Sequence, residues 1–269
     1  MASRPTPAHP VQTLREHVTA LEAAITLALA DPKKEPVHRL RTSTRRIEAQ
    51  LELLTLLPSL PDHAKPAKKA RKLLKKLRRA AGSVRDLDVQ RDLLKQHATS
   101  AKLRKDAASL RRTLKHQRSA EAASLTKLLK AEQRKLAPAL EHLLDALKPA
   151  QDLSLSPTEL SGLTLNWYRH NTPAARPDSD PDHLHTIRKS AKLARYIAES
   201  GAGELAATFE SLQQAGGAWH DFLTLTEITS QHLGRKSPLA ETFTRQCNTA
   251  LNHYKEALRH QPNPADPTA

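Results

Sequence analysis

"VHRLRTSTRR" spans residues 37–46 and "LHTIRKSAKL" spans residues 184–193. Each places a histidine, an arginine three residues on and a second cation seven residues on. His38, Arg41 and Arg45 thereby answer to His185, Arg188 and Lys192 at a constant offset of 147 residues. Steps of three and four put the three side chains within an arc of about 60° on a helical wheel. Val37, Leu40, Thr44, Ile47 and Leu51 occupy another arc, turned by roughly 80–180° from His38. The second copy behaves alike: Ile187, Ala191, Ala194 and Ala198 take the apolar side, and Arg195 joins the cations. A stretch whose cations and apolar residues both keep a helical period reads as an amphipathic helix, not a strand.

A second match follows the first. "GSVRDLDV", residues 82–89, pairs with "GAWHDFLT", residues 217–224, at an offset of 135, aligning Asp86 with Asp221. Two matches in the same order point to duplication of a four-helix unit.

The rest of the chain supports that count. Leu14, Val18, Leu21 and Ile25 mark a helix from Pro10, stopped at Asp31-Pro32. Pro36 suits the first turn of the next helix, which ends before Pro58 and Pro61. Leu73, Leu77, Val84 and Leu87 mark a third helix over 66–97, with Gly82 as a weak point. Residues 102–147 keep a helical pattern almost throughout, as one very long helix or two, with Pro138 suggesting a kink or break near residue 137. A polar joint at 148–157 ends the first half. Ser156-Pro157-Thr158-Glu159 reads as an N-cap, an N1 proline and a capping-box glutamate. Asp180-Pro181 and Ser237-Pro238 repeat the cap-plus-proline signal. Residues 1–9 read as a loose leader, 172–182 as an exposed linker and 261–269 as a disordered tail. The expectation is an all-α protein, with one unit over 10–150 and a second over 151–260.

Composition agrees. Alanine and leucine dominate, while glycine and β-branched residues are scarce, as helices prefer. The single Cys247 excludes an internal disulfide framework and fits a reducing compartment. No basic segment followed by an apolar run opens the chain, and "ALEAAITLALA" is too short to span a bilayer. A cytoplasmic protein without membrane contact is expected.

Net charge is +15, so the expected partner is a polyanion. Residues 1–150 hold 32 Lys/Arg against 15 Asp/Glu, a net of +17, while residues 151–269 sum to −2. All eight aromatic residues lie in the second half. In the third helix Arg71, Arg78 and Arg85 line one flank, and Lys68, Lys75 and Arg79 face away from the leucines. Guanidinium groups fork onto phosphate oxygens, lysines add point charges, and histidine donates a hydrogen bond to the same oxygens. Repeated cation rows therefore suit a ligand with regularly spaced phosphates.

"VHRLRTSTRR", "VRDLDV" and "LHTIRKSAKLARYIAE" resemble the signatures of CHAD domains, the conserved-histidine α-helical domains, in the family order and over roughly residues 10–260. The resemblance implies two pseudo-symmetric four-helix bundles around a basic central cavity that binds inorganic polyphosphate. Position by position it implies His38, Arg41, Arg45 and Arg46 as a first half-site, with Arg85 from the "RDLD" stretch. His185, Arg188, Lys192 and Arg195 supply the second. Lys75, Arg78 and Arg79 of the third helix complete the set of candidates. Two positions depart from the family: Glu48 stands where an arginine is common, and Leu193 replaces a cation beside Lys192. Association with polyphosphate granules is a further implication of the resemblance alone.

Other readings compete. Asp86 and Asp88 could hold Mg²⁺, but pairing with nearby arginines is the stronger expectation. "HLH", residues 183–185, lacks the further ligands a metal site needs, and no metal or cofactor is expected. Single-stranded nucleic acid wants aromatic stacking platforms, which the basic half lacks entirely. Duplex backbone binding needs none and is the alternative. A phosphohydrolase would want a carboxylate-held metal beside the phosphates, and the site is too poor in acids. The expected function is non-enzymatic polyphosphate binding.

Overall fold

The computed structural model describes residues 7–58, 60–173 and 180–259. Eight helices account for nearly all of them: α1 (Pro10–Ala30), α2 (Lys34–Thr55), α3 (Ala64–His97), α4 (Ala101–Leu147), α5 (Pro157–Asn171), α6 (Pro181–Ala198), α7 (Gly203–Leu233) and α8 (Pro238–Arg259). The protein is all-α. Among the described residues there is no strand beyond one isolated bridge.

The helix starts obey local chemistry. Ser156 and Glu159 form a reciprocal capping box, with Ser156 N–H donating to Glu159 Oε2 at 2.8 Å and Glu159 N–H to Ser156 Oγ at 3.3 Å. Asp180 Oδ1 accepts from His183 N–H at 2.7 Å, and Ser237 Oγ from Ala240 N–H at 3.2 Å. The expected caps of α5, α6 and α8 are all present.

Pro138 does not divide α4, which runs unbroken for 47 residues. A proline removes one backbone hydrogen bond. Here Leu136, Ala139, Leu140 and Leu143, each at most 1% exposed, anchor the helix on both sides of it. α3 likewise continues through Gly82, held by the buried Ala81 and Val84. The leader expected over 1–9 is not loose at its described end. Ala8 and Leu155 exchange two backbone hydrogen bonds, each 2.8 Å, and Ala8 is 2% exposed. A Cβ added at Gly201 would lie 2.9 Å from Ala8 Cβ, so only glycine leaves room for that approach. The tail at 261–269 and most of the linker lie outside the described residues.

The chain forms two compact units, each drawing on several segments. The first comprises residues up to Arg85, Ala120–Trp167 and Leu193–Ala206. Its core joins Leu14, Leu21, Leu40, Ile47, Leu51, Leu74, Leu77, Leu125, Leu129 and Leu143. Each such side chain contributes roughly 1.5–3 kcal/mol on burial. The second unit comprises Asp86–Ser119, Tyr168–Lys192 and the chain from Ala207. In it Leu94, Leu110 and Leu114 pack with Leu225, Leu239 and Phe243, and Tyr168 meets Phe209 edge to face. The aromatics that the sequence concentrates in its second half thus mostly serve as core.

Candidate functional site

In the first unit the apolar stripe of α2 (Val37, Leu40, Ile47, Leu51) is fully buried and fixes the helix's rotation. That leaves Arg41 and Arg45 half-buried on a neighbouring arc, with His38 exposed. α3 passes alongside. A Cβ on Gly82 would stand 3.9 Å from Arg41 Nε, so the helices approach closely at the guanidinium. One turn to either side of Gly82, Arg78 and Arg85 are half-buried too. Glu35 lies within the field of both His38 and Arg85, which brings those two to the same end of the cluster. The hydrogen bond from Arg39, at 2.9 Å, is the main cause of its lowered pKa.

Arg45 sits at the centre. Its pKa is lowered to about 10, by burial first and then by the charges of Arg41 and Arg78, with Glu48 and Tyr196 partly offsetting them. Arg45 remains charged at neutral pH, and burial beside Arg41 and Arg78 makes that charge less favourable than in water. Arg45 Nε and Arg85 Nη1 are screened from solvent and donate to nothing among the described residues. Buried donors ordinarily have a partner; Arg91 Nε and Arg111 Nε in the second unit are left in the same state.

Carboxylates brace the cluster without neutralising its centre. Glu48 accepts from Arg78 Nε at 2.8 Å. The acid that replaces the usual arginine therefore holds an arginine from α3 in place. Glu199 uses both oxygens, one at 2.9 Å from Arg195 and one at 3.4 Å from Arg46. Arg195 also lies over the Tyr196 ring at 4.8 Å. Arg195 is assigned to the second half-site by sequence, yet its partners belong to the first unit, because α6 changes unit after Lys192.

The second unit gathers His185, Arg188 and Lys192, all half-buried on α6. Arg188 Nη2 donates to His185 Nδ1 at 3.4 Å. A neutral His185 therefore carries its proton on Nε2. His220, on α7, lies against it with ring centroids 5.0 Å apart. Its pKa is lowered to about 4 by burial, then by Arg188, His185 and Lys189. His185 is lowered as well, for the same reasons, with Asp182 opposing. Behind them, a Cβ on Gly216 would fall 2.9 Å from the Tyr254 ring and 3.1 Å from Arg188 Cγ. Tyr254 donates to Leu184 O at 3.1 Å and stacks on Trp219.

Not every candidate joins a cluster. Lys75 and Arg79 are exposed, and Arg46, exposed too, is tied to the first cluster through Glu199; Lys76, beside Lys75, turns to Glu132 at 3.0 Å. Asp88 pairs with Arg118 through both oxygens, at 3.1 and 3.3 Å, as its arginine-rich surroundings predict. His183 is bound to its cap, Asp180, at 3.0 Å. Sequence reasoning missed His220, Lys189 and the two bracing glutamates. The glycine abutting the second arginine is Gly216, not the Gly217 that an offset of 135 selects, and Gly216 and His220 share a face of α7. A cavity of about 550 Å³ between α2 and α3 is lined by Leu54, Leu57, Leu60 and Ala67 with Lys68 and Arg71 from the third helix's cation rows, and by none of the half-site residues.

A family model described as the CHAD domain matches residues 12–229. Among solved structures, PptA from Streptomyces chartreusis aligns with a TM-score of 0.63 at 19% identity, over 94% of this chain and 100% of that one. The crystal structure of the CHAD domain from the plant Ricinus communis gives 0.65 at 16%, over 97% of this chain and 94% of that one. No curated protein matches the chain in sequence. At these identities the two structures speak to the fold.

Proposed function

The chain belongs to the CHAD family, and on that premise we propose that it is a non-enzymatic binder of inorganic polyphosphate. The observation that carries this reading is the half-buried arginine row Arg41, Arg45, Arg78 and Arg85, in which burial and neighbouring cations lower the Arg45 pKa and buried donors on Arg45 and Arg85 meet no acceptor among the described residues. A phosphate chain supplies acceptors and negative charge at a regular spacing. It would relieve the mutual repulsion of the cations while satisfying their N–H groups. The second cluster adds Arg188, Lys192 and the His185 Nε2–H donor. No bond is made or broken: the carboxylates beside the cations, Glu48 and Glu199, already hold arginines.

Duplex nucleic acid remains the competing ligand, since its backbone also presents phosphates. Its charges lie on the outside of a wide, stiff helix, whereas half-buried guanidinium groups favour a thin, flexible chain.

Titration with long-chain polyphosphate and with duplex DNA, at matched phosphate concentration and rising salt, tests the proposal. Preference for polyphosphate is expected, reduced by Arg41→Glu and by Arg188→Glu, with affinity falling steeply as salt rises. Equal affinity for both ligands, or indifference to both substitutions, would transfer the assignment to nucleic acid. Release of free phosphate in the presence of Mg²⁺ would make the protein an enzyme.

A further inference from the structure

We propose that His185 and His220 form a proton-uptake pair, so that polyphosphate binding draws protons from solvent and tightens as pH falls from about 8 to 5.5. This inference rests on the polyphosphate reading and adds His220 to the ligand-facing residues.

The geometry is specific. Gly216 and His220 stand one turn apart on α7, and the bare glycine lets α7 close onto Arg188. That approach sets the two imidazoles ring to ring, 5.0 Å apart and inclined by 46°. The charges that act on the pair are those of Asp182, Arg188 and Lys189 on α6. On the α7 side Trp219 lies against the His220 ring and stacks in turn on Tyr254 of α8, whose hydroxyl donates to Leu184 O. Of these charges the acid is Asp182, and it acts on His185. Without an anion, both rings are therefore held neutral near pH 7.

A bound phosphate chain reverses that field. Its interior phosphates stay ionised across the whole range, so the titrating groups are the imidazoles. Negative charge beside them stabilises their protonated forms. In the first half-site His38 is exposed, and α3 carries Asp86 one turn after Gly82.

Protonation also re-aims an arginine. The second proton on His185 lands on Nδ1, the atom that accepts from Arg188 Nη2. That nitrogen then becomes a donor, and the guanidinium must turn elsewhere, with an incoming phosphate oxygen as the acceptor. The proton comes from solvent and leaves when the anion does. A pair of histidines thus couples the anion to pH without a change in fold.

The test compares wild type with His185→Gln/His220→Gln, using long-chain polyphosphate at fixed ionic strength. Calorimetry at pH 6 in two buffers of different ionisation enthalpy counts the protons taken up, and the ratio of Kd at pH 8 to Kd at pH 5.5 is measured for each protein. For wild type the expectation is about one to two protons taken up and a Kd ratio of tenfold or more. The double variant should show neither. A wild-type ratio within twofold overturns the inference while leaving polyphosphate binding intact. A wild-type ratio retained by the double variant also overturns it, because the titration would then reside on another histidine such as His38. Absence of binding at both pH values would instead bring down the polyphosphate reading itself. Should the double variant fail to fold, each single variant must lose roughly half of the logarithm of the ratio, and retention of all of it in both sinks the proposal.

Discussion

The two cation clusters begin from one sequence motif and end as different devices. In the first, α2 and α3 supply four half-buried arginines, and a glutamate in place of a fifth holds Arg78. Its charge is fixed, since guanidinium does not titrate near neutrality. In the second, one arginine and two lysines stand beside paired imidazoles. Its imidazoles are neutral near pH 7 in the free protein and gain charge as pH falls. The two motifs therefore share the spacing of His, Arg and cation, while what faces each of them differs. The facing helix decided the chemistry, and in both copies the decisive position is a glycine beside the arginine.

The sharpest way to break the comparison is at the fixed cluster. Arg45→Glu should weaken polyphosphate binding by on the order of 100-fold, about 2.7 kcal/mol. Arg79→Ala, at an exposed position, should change it by less than about twofold. Equal losses from the two substitutions in a binding titration would show that burial does not rank the cations.

The glycines come next. Gly216→Ala should cost about 1–2 kcal/mol in thermal or denaturant unfolding, because the added methyl meets a fully buried Tyr254 ring. Gly82→Ala meets only an ordinary contact at 3.9 Å. It should be neutral, or should stabilise α3 by up to about 1 kcal/mol through helix propensity.

A pH dependence of the free protein sharpens the contrast further. His17 and His220 have folded-state pKa values lowered to about 4 from 6.5. The unfolded chain thus binds more protons between those limits, and stability falls as pH drops from 6.5 towards 4. After allowance for solvent screening the loss is about 1 kcal/mol for each. His220→Gln should lessen the fall in melting temperature, and polyphosphate should lessen it in wild type.

The smallest expected effect is at the brace. Glu48→Gln removes a charge that restrains Arg78 and should tighten polyphosphate binding about twofold to fivefold. It should also lower stability by up to about 1 kcal/mol, since the neutral amide holds Arg78 less strongly.

The fold was legible because its signals are local. A cap needs only the next three residues, and a helical stripe only its own period, so α1, α2, α5, α6 and α8 could be placed from sequence. Pro138 left one long helix or two open, because a proline's effect depends on what packs around it. The buried leucines that hold α4 together around it act through tertiary packing. The α2 motif was readable for the same reason as the caps, since 38, 41 and 45 share one helix. What α3 and the end of α6 bring to it, and what α7 brings to the α6 motif, was less so. Arg78 meets Glu48 across thirty residues, and Arg195 meets Arg46 only through Glu199. His220 was hidden by one residue of register: aligning on aspartates sets Asp221 against Asp86, while the contacts of Gly216 set His220 there.

Tyr254 has a reach that its place near the end of the chain does not advertise. Its ring backs Arg188, and its hydroxyl fastens the carbonyl next to His185. A protease that clipped α8 ahead of this tyrosine would leave every charged ligand-facing group uncut and still slacken the grip on the anion.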